Sequence, residues 1–338
     1  MARFARLAND VVKLAARHPR ALLRAAGACV RTAFLRQKVL RSVEVALTYR
    51  CQAACRHCWQ ISLHDPASRE LTMAEVERAS RECVALGAAN VHLTGGEPLL
   101  RDDICEIVAA CGPGAVLVSM STNGILLDRT RSLALKSAGL RMVSISIDGS
   151  TPAAHDACRG REGCFEAALA GTRYAREAGL QVFWNTIVNS LNIDGGEIRR
   201  IVELADRQGV VLTVNLPAAP DMWDPGRGPA LSGEHMAAYR SLLALSNVRW
   251  EGGSNYGREG CPAGVEKVFV SPYGEVMPCV TMRLSYGNVR ELPVRDIWRR
   301  MIAGPPFDRI HDRCLVAKDG KYWRRHLGPP VESGIRLL

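Results

Sequence analysis

The sequence has no long hydrophobic run. No stretch of its 338 residues approaches about eighteen uninterrupted apolar positions, which excludes a transmembrane helix. The opening segment has Arg3 and Arg6 but no continuous apolar run leading to a small-residue cleavage site, so a secretory signal is not expected. Aromatic residues are scarce at 6%. In the N-terminal arm they do not interleave with the basic ones, which argues against a stacking surface for nucleic acid. Acidic residues are nearly missing from the same arm: residues 1–43 carry ten Lys or Arg against Asp10 alone. The net charge of +10 therefore belongs almost wholly to the arm. With 47% hydrophobic and 23% charged residues, the chain is an ordinary folded protein able to bury a sizeable core.

What the sequence has in abundance is cysteine, twelve in all. A chain this long needs no disulfide staples, and Cys29, Cys83, Cys105 and Cys111 read mostly as small buried hydrophobes. The run Cys51-Gln52-Ala53-Ala54-Cys55-Arg56-His57-Cys58 differs, with its Cys-x3-Cys-x2-Cys spacing directly after an apolar, strand-like segment. Clustered thiolates suit iron–sulfur or zinc, yet the usual ferredoxin and zinc patterns use other spacings and a fourth protein ligand. Here the next cysteine is Cys83, inside an apparent helix. Three thiolates leave one metal position open, as chemistry requires and a structural site avoids.

After Arg41 the pattern is repetitive. Strands are expected over 43–48, 90–94, 115–120, 142–147, 181–187 and 210–215, with helices over 73–86, 102–111, 129–138, 163–178 and 196–208 between them. Such alternation implies parallel strands with covering helices, and motifs at the strand ends then surround one mouth. Upstream, residues 3–16 and 20–41 read as two helices parted by His18-Pro19, with Leu23, Val30, Phe34 and Val39 as core candidates in the second. A peripheral contact of this basic arm with anionic lipid or an acidic partner is the alternative to packing on the barrel. The run Pro217–Pro229 breaks the pattern as a loop. A helix over 231–245, a hairpin of 265–270 and 276–280 around Ser271-Pro272-Tyr273-Gly274, and a helix over 293–302 complete the chain.

The cysteine loop together with Gly95-Gly96-Glu97-Pro98 resembles the radical S-adenosylmethionine (radical SAM) superfamily. Cys261-x12-Gly274-x4-Cys279 resembles its members with a SPASM or twitch auxiliary domain. The resemblance implies an α/β fold: a partial (β/α)6 TIM-like barrel with a small C-terminal α+β SPASM/twitch-like domain. The expected boundaries are a basic helical arm at 1–42, the barrel at 43–225, a bridging helix at 226–254, the auxiliary domain at 255–322 and a tail at 323–338.

The resemblance also implies cofactors: S-adenosylmethionine and two [4Fe–4S] clusters. Cys51, Cys55 and Cys58 hold the radical SAM cluster. Cys261, Cys279 and Cys314 hold the auxiliary one, with an open fourth place or a ligand from Asp312, His311, Cys158 or Cys164. Expected S-adenosylmethionine contacts are His57, Gly95, Gly96, Glu97 and Pro98, then Ser121 and Asn123 of Ser121-Thr122-Asn123-Gly124, then Ser146, Asp148, Arg159 and Asn185. The paired glycines are expected to let backbone approach the ligand, and Glu97 to accept its ammonium. Ser146 and Asp148 are ribose candidates, and Arg159 reaches either the nucleoside or the fold's own carboxylates. Cys158 and Cys164 are candidate hydrogen-atom donors, against the plainer role of buried thiols.

The leading expectation for the reaction is dehydrogenation of an alcohol carbon on a small polar metabolite such as a sugar or aminocyclitol. Only 50 residues precede Cys51, too few for the precursor-recognition domain common in peptide maturases, so a peptide substrate ranks lower. Alternatives are a radical epimerase, a cross-linking peptide maturase and, from another class, a non-catalytic electron-transfer protein. An external donor such as flavodoxin or ferredoxin, and cytoplasmic surroundings, complete the expectation.

Overall fold

The computed structural model describes residues 19–35, 37–58, 60–112, 116–216, 231–250, 260–311, 314–315 and 336–337. The expected helix over 3–16, the run Pro217–Pro229 and Asp312 lie outside the described residues.

The first described helix is α1 (Pro19–Ala33), followed by β1 (Ser42–Ala46), α2 (Met73–Ala85), β2 (Asn90–Thr94), α3 (Ile104–Cys111), β3 (Leu117–Thr122), α4 (Arg129–Ala138) and β4 (Met142–Ser146). Next come α5 (Pro152–Arg159), α6 (Cys164–Glu177), β5 (Gln181–Ile187), α7 (Ser190–Asp194), α8 (Glu197–Arg207) and β6 (Val211–Asn215). The six strands pair in parallel in chain order. Caps explain the helix boundaries: Thr72 and Glu75 form a capping box on α2, and α4 runs from Asp128 to a left-handed Gly139. Alternation sets the faces. Val91, Leu93, Val118, Met120, Val143 and Ile145 are buried in the core, while His92, Ser119, Ser121, Ser144 and Ser146 have the opposite parity.

Beyond β6 the chain forms α9 (Gly233–Leu242) and β7 (Val248–Arg249), then β8 (Lys267–Val270), β9 (Val276–Met277), β10 (Leu284–Ser285), α10 (Val294–Met301) and β11 (Arg336–Leu337). The main sheet runs β7-β6-β5-β4-β3-β2-β1-β8-β9, so among the described residues its edges are not joined into a closed barrel. The strand expected to found a separate module, β8, instead pairs in parallel with β1. Val43 and Val45 are fully buried, and β1 is paired along both edges, by β2 and β8.

The N-terminal helix also departs from expectation. It ends at Ala33, not 41, because Val39 and Leu40 are fully buried and Arg41 pairs with buried Glu266 at 3.1 Å. Leu23, Val30 and Phe34 are exposed at 71%, 51% and 80%, not in the core. Ala21 and Ala28 face inward instead, and Arg24 Nε donates to Ala88 O at 2.8 Å. Small side chains let the helix approach the body closely, which the larger ones would prevent. No described helix is long and apolar enough to cross a membrane.

Candidate active site

The cysteine loop is clamped by the end of α5. Ala54 N donates to Arg159 O at 3.0 Å and Arg56 N to Cys158 O at 2.9 Å. Gly160 closes the helix with φ +63, and a Cβ there would meet Ala54 O at 2.6 Å. The clamp exists because Thr151 caps α5, Pro152 starts it and Gly160 stops it. Donors point at the sulfurs: Ala53 N lies 3.4 Å and Asn123 Nδ2 3.8 Å from Cys51 Sγ, and Arg159 Nη1 lies 3.4 Å from Cys55 Sγ. Burial pushes the Cys51 thiol up to about 11, and its neighbours Cys55 and Cys58 add to the rise. Burial also raises Cys55, with the Arg159 guanidinium pulling the other way. A protein-only environment thus disfavours thiolates at Cys51 and Cys55, whereas metal coordination deprotonates thiols outright. Three thiols within mutual electrostatic reach and ringed by N–H donors fit a metal–sulfur cluster.

Beside this loop sits the turn after β2. Gly96 N donates to Thr48 O at 2.8 Å and Glu97 N to Arg50 O at 2.9 Å. A Cβ on Gly95 would meet Thr48 O at 2.3 Å, and one on Gly96 would meet Arg50 O at 2.3 Å. The observed close approach is therefore to the segment feeding Cys51. Glu97 is fully buried: its carboxylate accepts Thr122 Oγ1 at 2.8 Å, Leu99 N at 3.0 Å and Asn123 N at 2.8 Å. Burial raises its pKa and these donors oppose the rise. Pro98 is buried at the start of a short 3-10 turn. Asn123 Oδ1 also faces Gln52 Nε2 at 3.4 Å, so the ends of β1, β2 and β3 are tied together.

Asp148 and Arg159 turn toward each other. Asp148 Oδ2 meets Arg159 Nη2 at 2.7 Å and His57 Nε2 at 3.7 Å, while Oδ1 accepts Thr186 Oγ1 at 2.8 Å and Ile187 N at 3.3 Å. Burial opposes ionisation, yet Arg159 and His57 hold the Asp148 carboxyl at about 2. His57, Asp148 and Cys158 lie close enough to share a metal ion, but the Arg159 guanidinium already supplies the positive charge. Cys158 Sγ lies 3.6 Å from His57 Nδ1, and burial pushes its thiol up to about 12. Cys164, buried at the start of α6, is likewise raised by burial. Both feel Cys55 electrostatically. That places them, on α5 and α6, beside the cysteine loop.

The sheet face opposite the helices is a polar floor. Register places Ser121 beside Ser144, Ser146 beside Asn185, Asn185 beside Thr213 and Thr213 beside Arg249. Ser146 Oγ donates to Asn185 Oδ1 at 3.2 Å and Asn185 Nδ2 to Ser144 Oγ at 3.1 Å. Sequence reasoning missed His92, whose ring bridges Ser119 at 2.8 Å and Ser121 at 2.9 Å. Ser119 donates to Asn90 Oδ1 at 3.1 Å, so it accepts from His92 Nδ1–H. Nε2 shares a hydrogen bond with the Ser121 hydroxyl. Arg249 was missed too; its guanidinium lies 4.3 Å over the Phe183 ring and its Nε 3.1 Å from Thr213 Oγ1. An ionisable residue on the polar parity of a strand was the available signal for both.

At the other end of the sheet, Cys261 and Cys279 are buried and Cys314 is half-buried. A hydrogen bond from Cys314 lowers the Cys261 pKa against its burial, aided by backbone groups of Leu315 and Ala263 and by Lys267. Burial and the neighbouring Cys261 raise Cys279 to about 11. The three sulfurs therefore form one group. His311 O accepts Cys261 N at 2.7 Å, while its ring Nε2 donates to Pro306 O at 2.6 Å.

Comparison with known proteins matches both halves. The radical SAM superfamily model fits residues 45–205, and the SPASM iron–sulfur cluster-binding domain fits 261–315. An AdoMet-dependent heme synthase of Methanosarcina barkeri is 31% identical over 76% of this chain and 82% of its own length. A PqqA peptide cyclase of Rhizobium meliloti is 29% identical over 75% of this chain and 72% of its own. Among solved structures, Streptococcus suis SuiB bound to precursor peptide SuiA superposes with a TM-score of 0.63 at 16% identity, covering 83% of this chain and 70% of that one. These relatives correct the ranking of substrates: PqqA peptide cyclases recur at 28–29% identity, so a peptide is not the lesser candidate. The spacing before Cys51, on which the ranking rested, does not decide the substrate.

Proposed function

Because this chain belongs to the radical SAM superfamily and carries a SPASM iron–sulfur cluster-binding domain, we propose that it is a peptide-modifying maturase that forms a cross-link within its substrate. The observation that carries the reading is the likeness to PqqA peptide cyclases over 75–78% of the chain. Cys51, Cys55 and Cys58 would hold one [4Fe–4S] cluster and Cys261, Cys279 and Cys314 a second. When bound, the first cluster with S-adenosylmethionine supplies a 5′-deoxyadenosyl radical for hydrogen abstraction, and the second supplies an acceptor for the remaining electron.

The protein's part is placement. Backbone at Gly95–Pro98, with Glu97, Ser121 and Asn123, would hold the methionine end of S-adenosylmethionine, and His57, Ser146 and Asn185 its nucleoside. The polar floor orients the peptide, and Ser121, hydrogen-bonded to the His92 ring, is the route for the proton released when the new bond forms. Half-buried Cys158 and buried Cys164, with raised thiol pKa values, act as packing groups.

The test is anaerobic incubation of the reconstituted full chain with synthetic short peptides encoded beside its gene, followed by mass analysis. A peptide two mass units lighter, with 5′-deoxyadenosine formed in step, supports the reading. Unchanged peptides together with conversion of an iron–porphyrin precursor, the chemistry suggested by the heme synthase relatives, would overturn it.

A further inference from the structure

We propose that Arg159 sets the reduction potential of the cluster held by Cys51, Cys55 and Cys58, and that Asp148 is the positioning residue that fixes its guanidinium. The inference rests on the reading that these three cysteines carry a cluster. Arg159 is 8% exposed, and one guanidinium nitrogen, Nη1, lies 3.4 Å from Cys55 Sγ. The other, Nη2, is locked 2.7 Å from Asp148 Oδ2. Asp148 is itself immobilised by Thr186 Oγ1 and Ile187 N, so the fork is aimed from β5 through α5 at one sulfur.

The direction of the effect follows from charge. Reduction adds one electron to the cluster, and hydrogen bonds and positive charge at its sulfurs stabilise the reduced form more than the oxidised one. The carboxylate of Asp148 bonds the other terminal nitrogen and acts on Cys55 in the opposite sense, but Arg159, which donates to the sulfur directly, has the larger effect and sets the net sign. Low local polarity keeps its charge from being screened. The neighbouring donors on Cys51 are a neutral backbone N–H and a neutral amide, whereas Arg159 brings a cationic donor to Cys55.

The test is a potentiometric titration of the reconstituted full chain, followed by electron paramagnetic resonance, with the auxiliary cluster as internal reference. R159Q should move the midpoint of the Cys51–Cys58 cluster downward and leave the auxiliary midpoint in place. R159K, which keeps a cation opposite Asp148, should fall between R159Q and the native chain. An uncompensated Asp148 is costly in R159Q. The double variant R159Q/D148N removes both charges, so the measurement survives if the single variant folds poorly; it too should titrate below the native chain. A merely structural role would lower cluster content without moving the midpoint. Full cluster content with native midpoints in R159Q and R159Q/D148N would overturn the proposal. A native chain showing no cluster lost on Cys51→Ala would instead sink the reading beneath it.

Discussion

Gly96→Ala separates two accounts of the paired glycines. If Gly96 were needed mainly so that a ligand can approach, the substitution would leave the folded chain intact and weaken S-adenosylmethionine binding alone. The geometry points elsewhere, because the new Cβ would meet Arg50 O at 2.3 Å, Tyr49 O at 2.7 Å and Arg50 C at 2.8 Å. All three are backbone atoms, so no side chain can rotate away. Relief requires the turn to lift from the segment that leads into Cys51. That movement breaks the bonds Gly96 N to Thr48 O and Glu97 N to Arg50 O. Each contributes about 1 kcal/mol net, and overpacking adds roughly 1–3 kcal/mol. The expected loss is therefore about 3–5 kcal/mol in the cofactor-free chain, read as a lower midpoint in chemical denaturation. Native stability of the cofactor-free G96A chain, with binding alone impaired, would refute the reasoning.

Burial, with help from Arg159, lowers the His155 pKa to about 4, so between that value and its ordinary 6.5 the unfolded chain takes up a proton that the folded chain refuses. Stability should consequently rise with pH through that window and be lost on acidification from 6.5 toward 4; H155Q should flatten this slope in denaturation curves, and an unchanged slope would count against it. Asp148, held at about 2, adds a loss that begins only at lower pH, as its carboxyl is protonated in the unfolded chain first. Alanine at Cys51, Cys55 and Cys58 together should remove roughly four irons per chain and abolish 5′-deoxyadenosine formation; persistent cleavage of S-adenosylmethionine would show that another site starts the reaction.

Much of the parallel sheet and its helices was legible because apolar segments bounded by turn residues carry their own signal. The expected strand over 181–187 matches Gln181–Ile187, and the helix over 129–138 matches Arg129–Ala138. Helix α5 was not expected as a helix. Its eight residues mix Cys158, Arg159, His155 and Asp156 and show no long apolar stripe. What Arg159 does was equally hidden, since a charge 104 residues from Cys55 gives no local sign of contact. The exposed Leu23 and Phe34 misled in the opposite direction: helical spacing identifies a face, but small residues such as Ala21 and Ala28 can form the inward one.

The pairing of β8 with β1 was not legible either, and it bears on how the two cysteine groups work together. One leaves β1 through Leu47–Arg50 into Cys51; the other brackets β8, from Cys261 to Cys279. Had the C-terminal segment formed a sheet of its own, the separation of the two groups would depend on a linker. Strands hydrogen-bonded over Ser42–Val45 and Lys267–Val270 make it a property of sheet register instead. Lys267 reinforces the junction from the β8 side: its Nζ lies 2.9 Å from Glu44 Oε1 on β1, and its charge lowers the pKa of Cys261 and Cys279. A change at either strand that shifts the register therefore moves one cysteine group relative to the other. Under the function proposed above, the electron left on the substrate would pass to the second cluster across that spacing, which the pairing of β8 with β1 holds fixed.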